Sequence, residues 1–326
     1  MLLSRCRWFT CLALFACCCC QVSLCALTNT SSTWAVIVNA SRFWLNYRHT
    51  ANAMTLYHSL KRLGMPDSRI ILMHADCATC DPRTYRPGKT FYRPNDVYLD
   101  SDTDVEIDYR DMEVNAESVM RVLTGNVGYG AASSQVLGSD SESNVLLFLT
   151  GHGGDSFLKF HDQSELMAAD LGAAVEYMTM VGMCKRVLVV LDTCQASTMY
   201  EDIRTHGWAG AASSKRDQSS YALNSDSRVG TFLIDEFSHH MFEFLKRNKA
   251  IEDGATFDDM ISYIMSRKMS SEVQFDQSRS RNVALKDFFV PHVQAAQPVS
   301  LNNHQSWQQQ QQKGIASSDV WRRKLV

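Results

Sequence analysis

Two apolar runs in this chain stop abruptly at polar clusters. The first reads Leu147-Phe-Leu-Thr-Gly-His152-Gly-Gly and the second Val189-Val-Leu-Asp192-Thr-Cys194-Gln-Ala. Runs of this length bounded by turn residues read as strands buried in a parallel sheet. In open α/β sheets, reactive groups stand just past the carboxyl ends of such strands. One strand end thus presents a histidine among glycines and a later one a cysteine, as a thiol nucleophile and its base require. Alone, Cys194 reads as a structural cysteine and His152 as a turn histidine. Together, each at its own strand end, they favour catalysis.

The remaining pattern agrees with such a sheet. Segments 34–39 and 69–73 read as strands flanking a helix over 48–63, which Gly64 and Pro66 stop. Strand–helix–strand order implies a βαβ unit. Segment 74–98 reads as loop, 115–123 as helix, and 125–143 as a Gly- and Ser-rich connection. The histidine strand spans 144–149 and the cysteine strand 186–191, with a helix over 168–180 between them. A further strand is expected at 208–212, and helices at 231–245 and 256–267.

Length and charge narrow the class. A chain of 326 residues holds one large α/β domain or two small ones, and a net charge of -3 gives no reason to expect nucleic-acid binding. Residues 1–26 read as a secretory signal peptide: Arg5 and Arg7, an apolar stretch, then small residues near Cys25 and Ala26. The apolar stretch is short of the ~20 residues a membrane span needs. Seven of the eleven cysteines lie in this leader, which leaves Cys77, Cys80, Cys184 and Cys194. The catalytic domain is assigned to 27–293. The tail 294–326, with Gln308 to Gln312, lacks the apolar content for a core and reads as disordered. Asn29 and Asn39 open glycosylation sequons, but Asn39 falls at a strand end near the reactive residues.

A thiol needs a base, an electropositive setting and donors for the oxyanion. His152 supplies the first two. Gly153, without a Cβ, lets its N–H face the reacting carbon closely, and the Cys194 N–H is a second donor. Asn46-Tyr-Arg48-His49 opens the helix after the first strand. There Asn46 can orient His152 through its side-chain carbonyl and Arg48 can line a pocket, or the two are a cap and a surface cation. In Asp104-Val-Glu106-Ile-Asp108 the carboxylates alternate onto one face of an extended segment, either a solvated edge strand or oxygen ligands for Ca²⁺. The Cys77-Ala-Thr-Cys80 pair lacks a second ligand pair for zinc and stands in a loop; a disulfide, internal or to a partner, stays open.

These motifs resemble those of the glycosylphosphatidylinositol (GPI) transamidase branch of the legumain-like cysteine peptidases. The resemblance covers about residues 33–290. It is carried by Ser41-Arg-Phe-Trp-Leu-Asn-Tyr-Arg-His49, Arg62-Leu-Gly-Met-Pro-Asp-Ser68, Asp104-Val-Glu-Ile-Asp-Tyr-Arg110, Arg121-Val-Leu-Thr-Gly125, Thr150-Gly-His-Gly-Gly154, Phe157-Leu-Lys-Phe160 and Asp192-Thr-Cys-Gln195. It implies an α/β, caspase-like three-layer sandwich with a mostly parallel central sheet. It implies a His152–Cys194 dyad with Asn46 as third member, and an oxyanion hole from the Gly153 and Cys194 amides. Asp192, Ser213 and Ser214, with Arg48, become substrate-pocket positions. Asp67, Glu106, Asp108 and the Ile70 carbonyl match a structural Ca²⁺ site, no cofactor being needed for the chemistry. Cys80 matches a cysteine that bridges to a partner subunit.

The function implied is transfer of a proprotein, cut upstream of a C-terminal GPI signal, to the amine of a GPI glycolipid. The setting implied is the endoplasmic reticulum lumen, within a membrane-bound complex of other subunits. Many relatives carry a C-terminal transmembrane helix where this chain has its Gln-rich tail, so attachment is expected through partners. The alternatives are a luminal or vacuolar asparaginyl-type endopeptidase, or a non-catalytic scaffold subunit of the same fold.

Overall fold

The computed structural model describes residues 32–290 except 96 and 100–104. The leader, the Asn29 sequon, Asp104 and the Gln-rich tail lie outside the described residues. The strands that organise the fold are β1 (Thr33–Asn39), β2 (Ile70–His74), β3 (Tyr109–Arg110), β4 (Asn144–Thr150), β5 (Phe157–Phe160), β6 (Ser164–Met167), β7 (Arg186–Asp192), β8 (Trp208–Ala212), β9 (Ala222–Asp226), β10 (Thr231–Asp235) and β11 (Gln274–Phe275). The helices that pack on them are α1 (Tyr47–Arg62), α2 (Ala116–Thr124), α3 (Ala168–Met180), α4 (Glu236–Leu245) and α5 (Phe257–Met265).

Among the described residues the central sheet has seven strands in the order β11-β8-β7-β4-β1-β2-β3. All neighbours run parallel except β11, which pairs antiparallel with β8. Successive strand side chains point to opposite faces, and this sheet is covered on both. Ile37, Phe148 and Val190 join the core built with α1, α4 and α5. Val36, Val38, Leu147 and Val189 join the core built with α2 and α3. Every residue of β1 and β4 is buried, which explains why these strands are apolar runs rather than alternating patterns.

Helix α1 is enclosed almost all round, with Ala51, Leu56 and Leu60 in the core and Asn52 and Thr55 buried beside them. It ends where Gly64 adopts φ 94° and returns its N–H to Lys61. Helix α2 carries an Asn115 cap that accepts the Ser118 N–H at 2.9 Å and ends at Gly125 in the left-handed region.

Two expectations from sequence are corrected here. Segment 231–245 is not one helix: Thr231–Asp235 is a strand, with Ala222 opposite Asp235 and Leu223 opposite Ile234. Its β-branched and aromatic residues suit a pleated surface, and the helix begins only at Glu236. Residues 105–108 are not an edge strand: pairing with β2 begins at Tyr109, opposite Met73. The expected loop 74–98 also holds a short hairpin of Phe91–Arg93 with Val97–Tyr98, which buries Phe91 and Tyr92.

Candidate active site

The two reactive strand ends are neighbours in the sheet. β4 and β7 pair in register, Thr150 opposite Asp192, so His152 and Cys194 each lie two residues beyond the same rung. Glycine at 153 is a steric requirement. A Cβ there would meet Thr193 Oγ1 at 2.4 Å, the Phe157 carbonyl at 2.9 Å and the Cys194 carbonyl at 3.2 Å. The histidine loop thus packs backbone to backbone on the cysteine turn.

Cys194 is a free, partly exposed thiol. The next residue, Gln195, adopts φ 52° and bends the chain off the strand. Two wholly buried serines hold this bend. Ser213 Oγ accepts the Thr193 N–H at 3.2 Å, Ser214 Oγ donates to the Thr193 carbonyl at 2.8 Å, and Ser214 Oγ also accepts the Ala196 N–H at 3.1 Å. Both hydroxyls expected to line a substrate pocket therefore brace the nucleophile's turn.

His152 Nε2 contacts Asn46 Oδ1 at 2.8 Å. The Asn46 amide donates its Nδ2–H to the Arg42 carbonyl at 2.6 Å, so Oδ1 must be the atom facing the histidine. An acceptor there places the imidazole proton on Nε2 and leaves Nδ1 as the basic nitrogen. Desolvation first, then the Arg48 and Lys159 charges, hold the His152 pKa below its ordinary value, with Asp162 opposing. The ring is therefore largely neutral at neutral pH, as a base must be. His49 packs edge-on against it, 5.0 Å between centroids at 84°.

Next to His152 and Cys194 lies a buried polar cluster. Asp192 accepts from Ser220 Oγ at 2.8 Å and from Ser238 Oγ at 2.6 Å. Burial raises its pKa, and these hydroxyls work against the rise. Arg48 Nε stands 2.8 Å from Asp235 Oδ1, while Asn52 Nδ2 donates to Asp235 Oδ2 at 2.6 Å. Burial and then the Asp192 charge raise Asp235 to about 7, and Arg48 and Asn52 oppose them. Burial, then Arg48, hold His49 well below the usual histidine range. The sequence reading missed Asp235, His49 and Asn52. A strand boundary at 235 was the available signal for Asp235, since it would have put a carboxylate at a third strand end.

The expected calcium ligands lie near one another. Asp67 accepts from the Tyr57 hydroxyl and the Lys61 ammonium. Asp108 Oδ2 accepts the Leu72 N–H at 2.8 Å. Its Oδ1 is buried without a hydrogen bond, only the Ser134 hydroxyl offering partial relief. Burial, reinforced by Glu106 and Asp67, raises Asp108 to about 6. An orphaned carboxylate oxygen among acidic neighbours fits a hard cation. Yet Lys61 already neutralises Asp67, and among the described residues no three acidic, histidine or cysteine side chains converge as a metal-binding group.

The Cys80 expectation is corrected. Its sulfur is bonded to Cys77 within the chain, at 2.03 Å, because the short turn Ala78–Cys80 brings the two side chains together. Burial pushes the Cys184 thiol up to about 12. Asn39 is wholly buried against His74 and offers no room for a glycan. Among the described residues no helix is long and apolar enough to cross a membrane.

A histidine and a cysteine on adjacent parallel strand ends, with an amide hydrogen-bonded to the histidine, make a candidate cysteine-peptidase site on an α/β sheet. The chain belongs to the Peptidase C13 family, whose model matches residues 33–292. It is 40% identical over 264 residues to the putative GPI-anchor transamidase of Caenorhabditis elegans, covering 79% of this chain and 82% of that protein. It is 38% identical over 274 residues to the GPI-anchor transamidase of Saccharomyces cerevisiae, covering 81% and 64%. To the GPI-anchor transamidase of Homo sapiens it is 38% identical over 265 residues, covering 79% and 66%. The chain thus spans slightly less than two thirds of the yeast and human relatives. Caspase-1 of Spodoptera frugiperda superposes with a TM-score of 0.44 at 11% identity, over 76% of this chain and 86% of that one. The fold assignment rests on the sheet order and the family match, not on that likeness.

Proposed function

We propose that this chain is the catalytic subunit of a GPI transamidase. The observation that carries the proposal is the chain of contacts Asn46–His152 and Gly153–Cys194 at paired strand ends, in a chain similar to GPI-anchor transamidases throughout its fold. His152 Nδ1 takes the Cys194 proton, and the thiolate attacks the backbone carbonyl of a small residue upstream of a C-terminal hydrophobic signal. The developing oxyanion is held by the Gly153 and Cys194 amides. The C–N bond breaks, His152 returns its proton to the leaving amine, and a thioester to Cys194 remains. The terminal amine of a GPI phosphoethanolamine then attacks that thioester and loses its proton to His152. The new amide forms as the thiolate leaves.

Arg48, Asp192, Ser213 and Ser214 are the substrate-pocket positions of this reading, with the buried Asp235 holding Arg48. Partner subunits of a membrane-bound complex present the signal and the glycolipid in the endoplasmic reticulum lumen. A structural calcium ion on Asp67, Glu106, Asp108 and the Ile70 carbonyl is part of the same reading, supported by the orphaned Asp108 oxygen. It would tie the start of β2 to the segment before β3, displace Lys61 from Asp67, and supply no chemistry to the reaction.

The test is nucleophile exchange. Membranes holding this protein and a precursor with a C-terminal GPI signal are given hydrazine. A C-terminal hydrazide made by the wild type and not by Cys194→Ala is the expected result. Free acid alone would favour an endopeptidase, and processing unchanged in Cys194→Ala would refute the covalent route.

A further inference from the structure

Asn46 is held by a peptide unit in an unusual conformation. Phe43 has φ 75° and ψ 147°. This region is nearly free to glycine and costly to a residue with a Cβ. The Phe43 side chain is 60% exposed, so core packing does not impose the strain. The polar contacts of its backbone do. The Phe43 N–H donates to Asp76 Oδ2 at 2.6 Å. The Phe43 carbonyl accepts the Asn46 N–H at 2.9 Å, which closes the turn Trp44–Asn46.

The Phe43 N–H and the Arg42 carbonyl are two edges of one peptide plane. Asp76 grips the first edge, and Asn46 Nδ2 donates to the second at 2.6 Å. A carboxylate that accepts an N–H also polarises the carbonyl across the amide, strengthening its acceptance of the next hydrogen bond. The chain of contacts therefore runs from Asp76 through the Arg42–Phe43 plane to the Asn46 amide, and from Asn46 Oδ1 to His152 Nε2.

Other contacts on this segment hold side chains rather than the plane. The Arg42 guanidinium lies 5.7 Å from the Phe43 ring centroid and pairs with Asp111 at 3.1 Å. Arg83 stands over the Trp44 ring at 5.3 Å. Asp76 itself sits in the loop after β2, next to the Cys77–Cys80 bridge that closes this loop.

We propose that Asp76 is a positioning residue for the reaction: it sets the Arg42–Phe43 peptide plane and, through Asn46, the orientation and tautomer of His152. The inference rests on the reading of His152 and Cys194 as the dyad. It names a carboxylate that touches neither substrate nor reacting atoms, and acts only through the backbone.

The test uses the full chain in its membrane complex, with hydrazide formation and the pH dependence of Cys194 alkylation by iodoacetamide as readouts. Asp76→Ala is expected to lower the turnover rate about tenfold, as loss of an orienting partner does, with KM unchanged. It should displace the alkylation pH profile in the same direction as Asn46→Ala. Asp76→Asn keeps an acceptor oxygen and should restore both readouts to near wild type. Combined with Asn46→Ala, Asp76→Ala should add no further loss, because both act on one contact.

Additive losses, or an Asp76→Ala profile identical to wild type, would overturn the proposal. If Asp76→Ala does not accumulate, the same comparison is made on Phe43→Gly, since glycine adopts the conformation unaided. There Asp76→Ala should cost less than about twofold, and a full tenfold loss would overturn the proposal. If instead Asn46→Ala and Cys194→Ala leave hydrazide formation intact, it is the dyad reading that fails.

Discussion

Asp192 and Asp235 are two fully enclosed carboxylates, and the Asp192 charge is one of the causes that raise Asp235 to about 7. Arg48 is the cation paired with Asp235, at 2.8 Å. A carboxyl whose folded pKa lies above its unfolded value holds its proton more tightly when folded. Its effect on stability is therefore absent below the unfolded pKa, near 3.8, and becomes a growing penalty as pH rises towards about 7. The thermal midpoint of the wild type should carry a falling component across that window. Asp235→Asn should flatten it, and equal slopes in the two proteins would contradict the assignment.

Removal of reacting groups should separate chemistry from fold. His152→Ala is expected to lower hydrazide formation by about 10²–10⁴-fold, the usual worth of a general acid–base. Cys194→Ala should abolish it, because no thioester can form. His152 and Cys194 lie beyond the sheet's pairing, so both variants should keep the wild-type thermal midpoint within a few degrees, read by circular dichroism.

Gly153 and Gly154 make a paired test of close packing. A Cβ at 153 would meet the Phe157 and Cys194 backbone at 2.9 and 3.2 Å, whereas one at 154 would meet chiefly the Phe157 ring, at 2.5 Å. Backbone cannot yield as a ring can. Gly153→Ala should cost about 1–3 kcal/mol of stability along with nearly all activity. Gly154→Ala should cost less on both counts in denaturant unfolding and hydrazide assays.

Thiol labelling should distinguish the four cysteines among the described residues. Without reductant, a small alkylating agent should modify Cys194 and spare the bridged Cys77 and Cys80. Cys184, buried and pushed up to about 12, should react only on unfolding. Peptide mass spectrometry reads all four. Rapid native labelling of Cys80 would show that the bridge is open and free for a partner.

Calcium should act through Asp108. Its pKa of about 6 reflects burial and acidic neighbours, so a bound cation would favour ionisation and stabilise the fold. Thermal unfolding with added Ca²⁺ should shift upward against chelator in the wild type and not in Asp108→Asn. Identical midpoints with and without Ca²⁺ in the wild type would remove the site from the reading.

Much of the site was legible because its parts end strands. His152 and Cys194 announce themselves as polar breaks after fully buried runs, and that signal is local. Asp235 was hidden because Thr231–Asp235 carries enough apolar residues to pass as the start of a helix. Only its pairing with Ala222–Asp226 makes it a strand. Ser213 and Ser214 were singled out as pocket positions; that their hydroxyls also hold the 193–196 turn depends on which way a buried hydroxyl points, which the sequence does not say. The Cys77–Cys80 bridge was one of several readings that the spacing left open.

What the sequence by itself determined is what depends on short-range pattern. Buried parallel strands need unbroken apolar runs, helices need the 3.6-residue spacing and their stops, and a nucleophile needs a sharp turn. Those signatures placed β1, β2, β4, β7 and β8, the helices α1 and α3, and the strand ends that carry His152 and Cys194. Tertiary structure decided everything that depends on residues distant in the chain. It set Thr150 opposite Asp192, so that two strand ends became one site. It brought Asp235 to Arg48 across 187 positions of sequence, and it set the Arg42–Phe43 peptide plane between Asp76 and Asn46. Such pairings are fixed by sheet order and by the burial of both faces, which no local window of the chain contains.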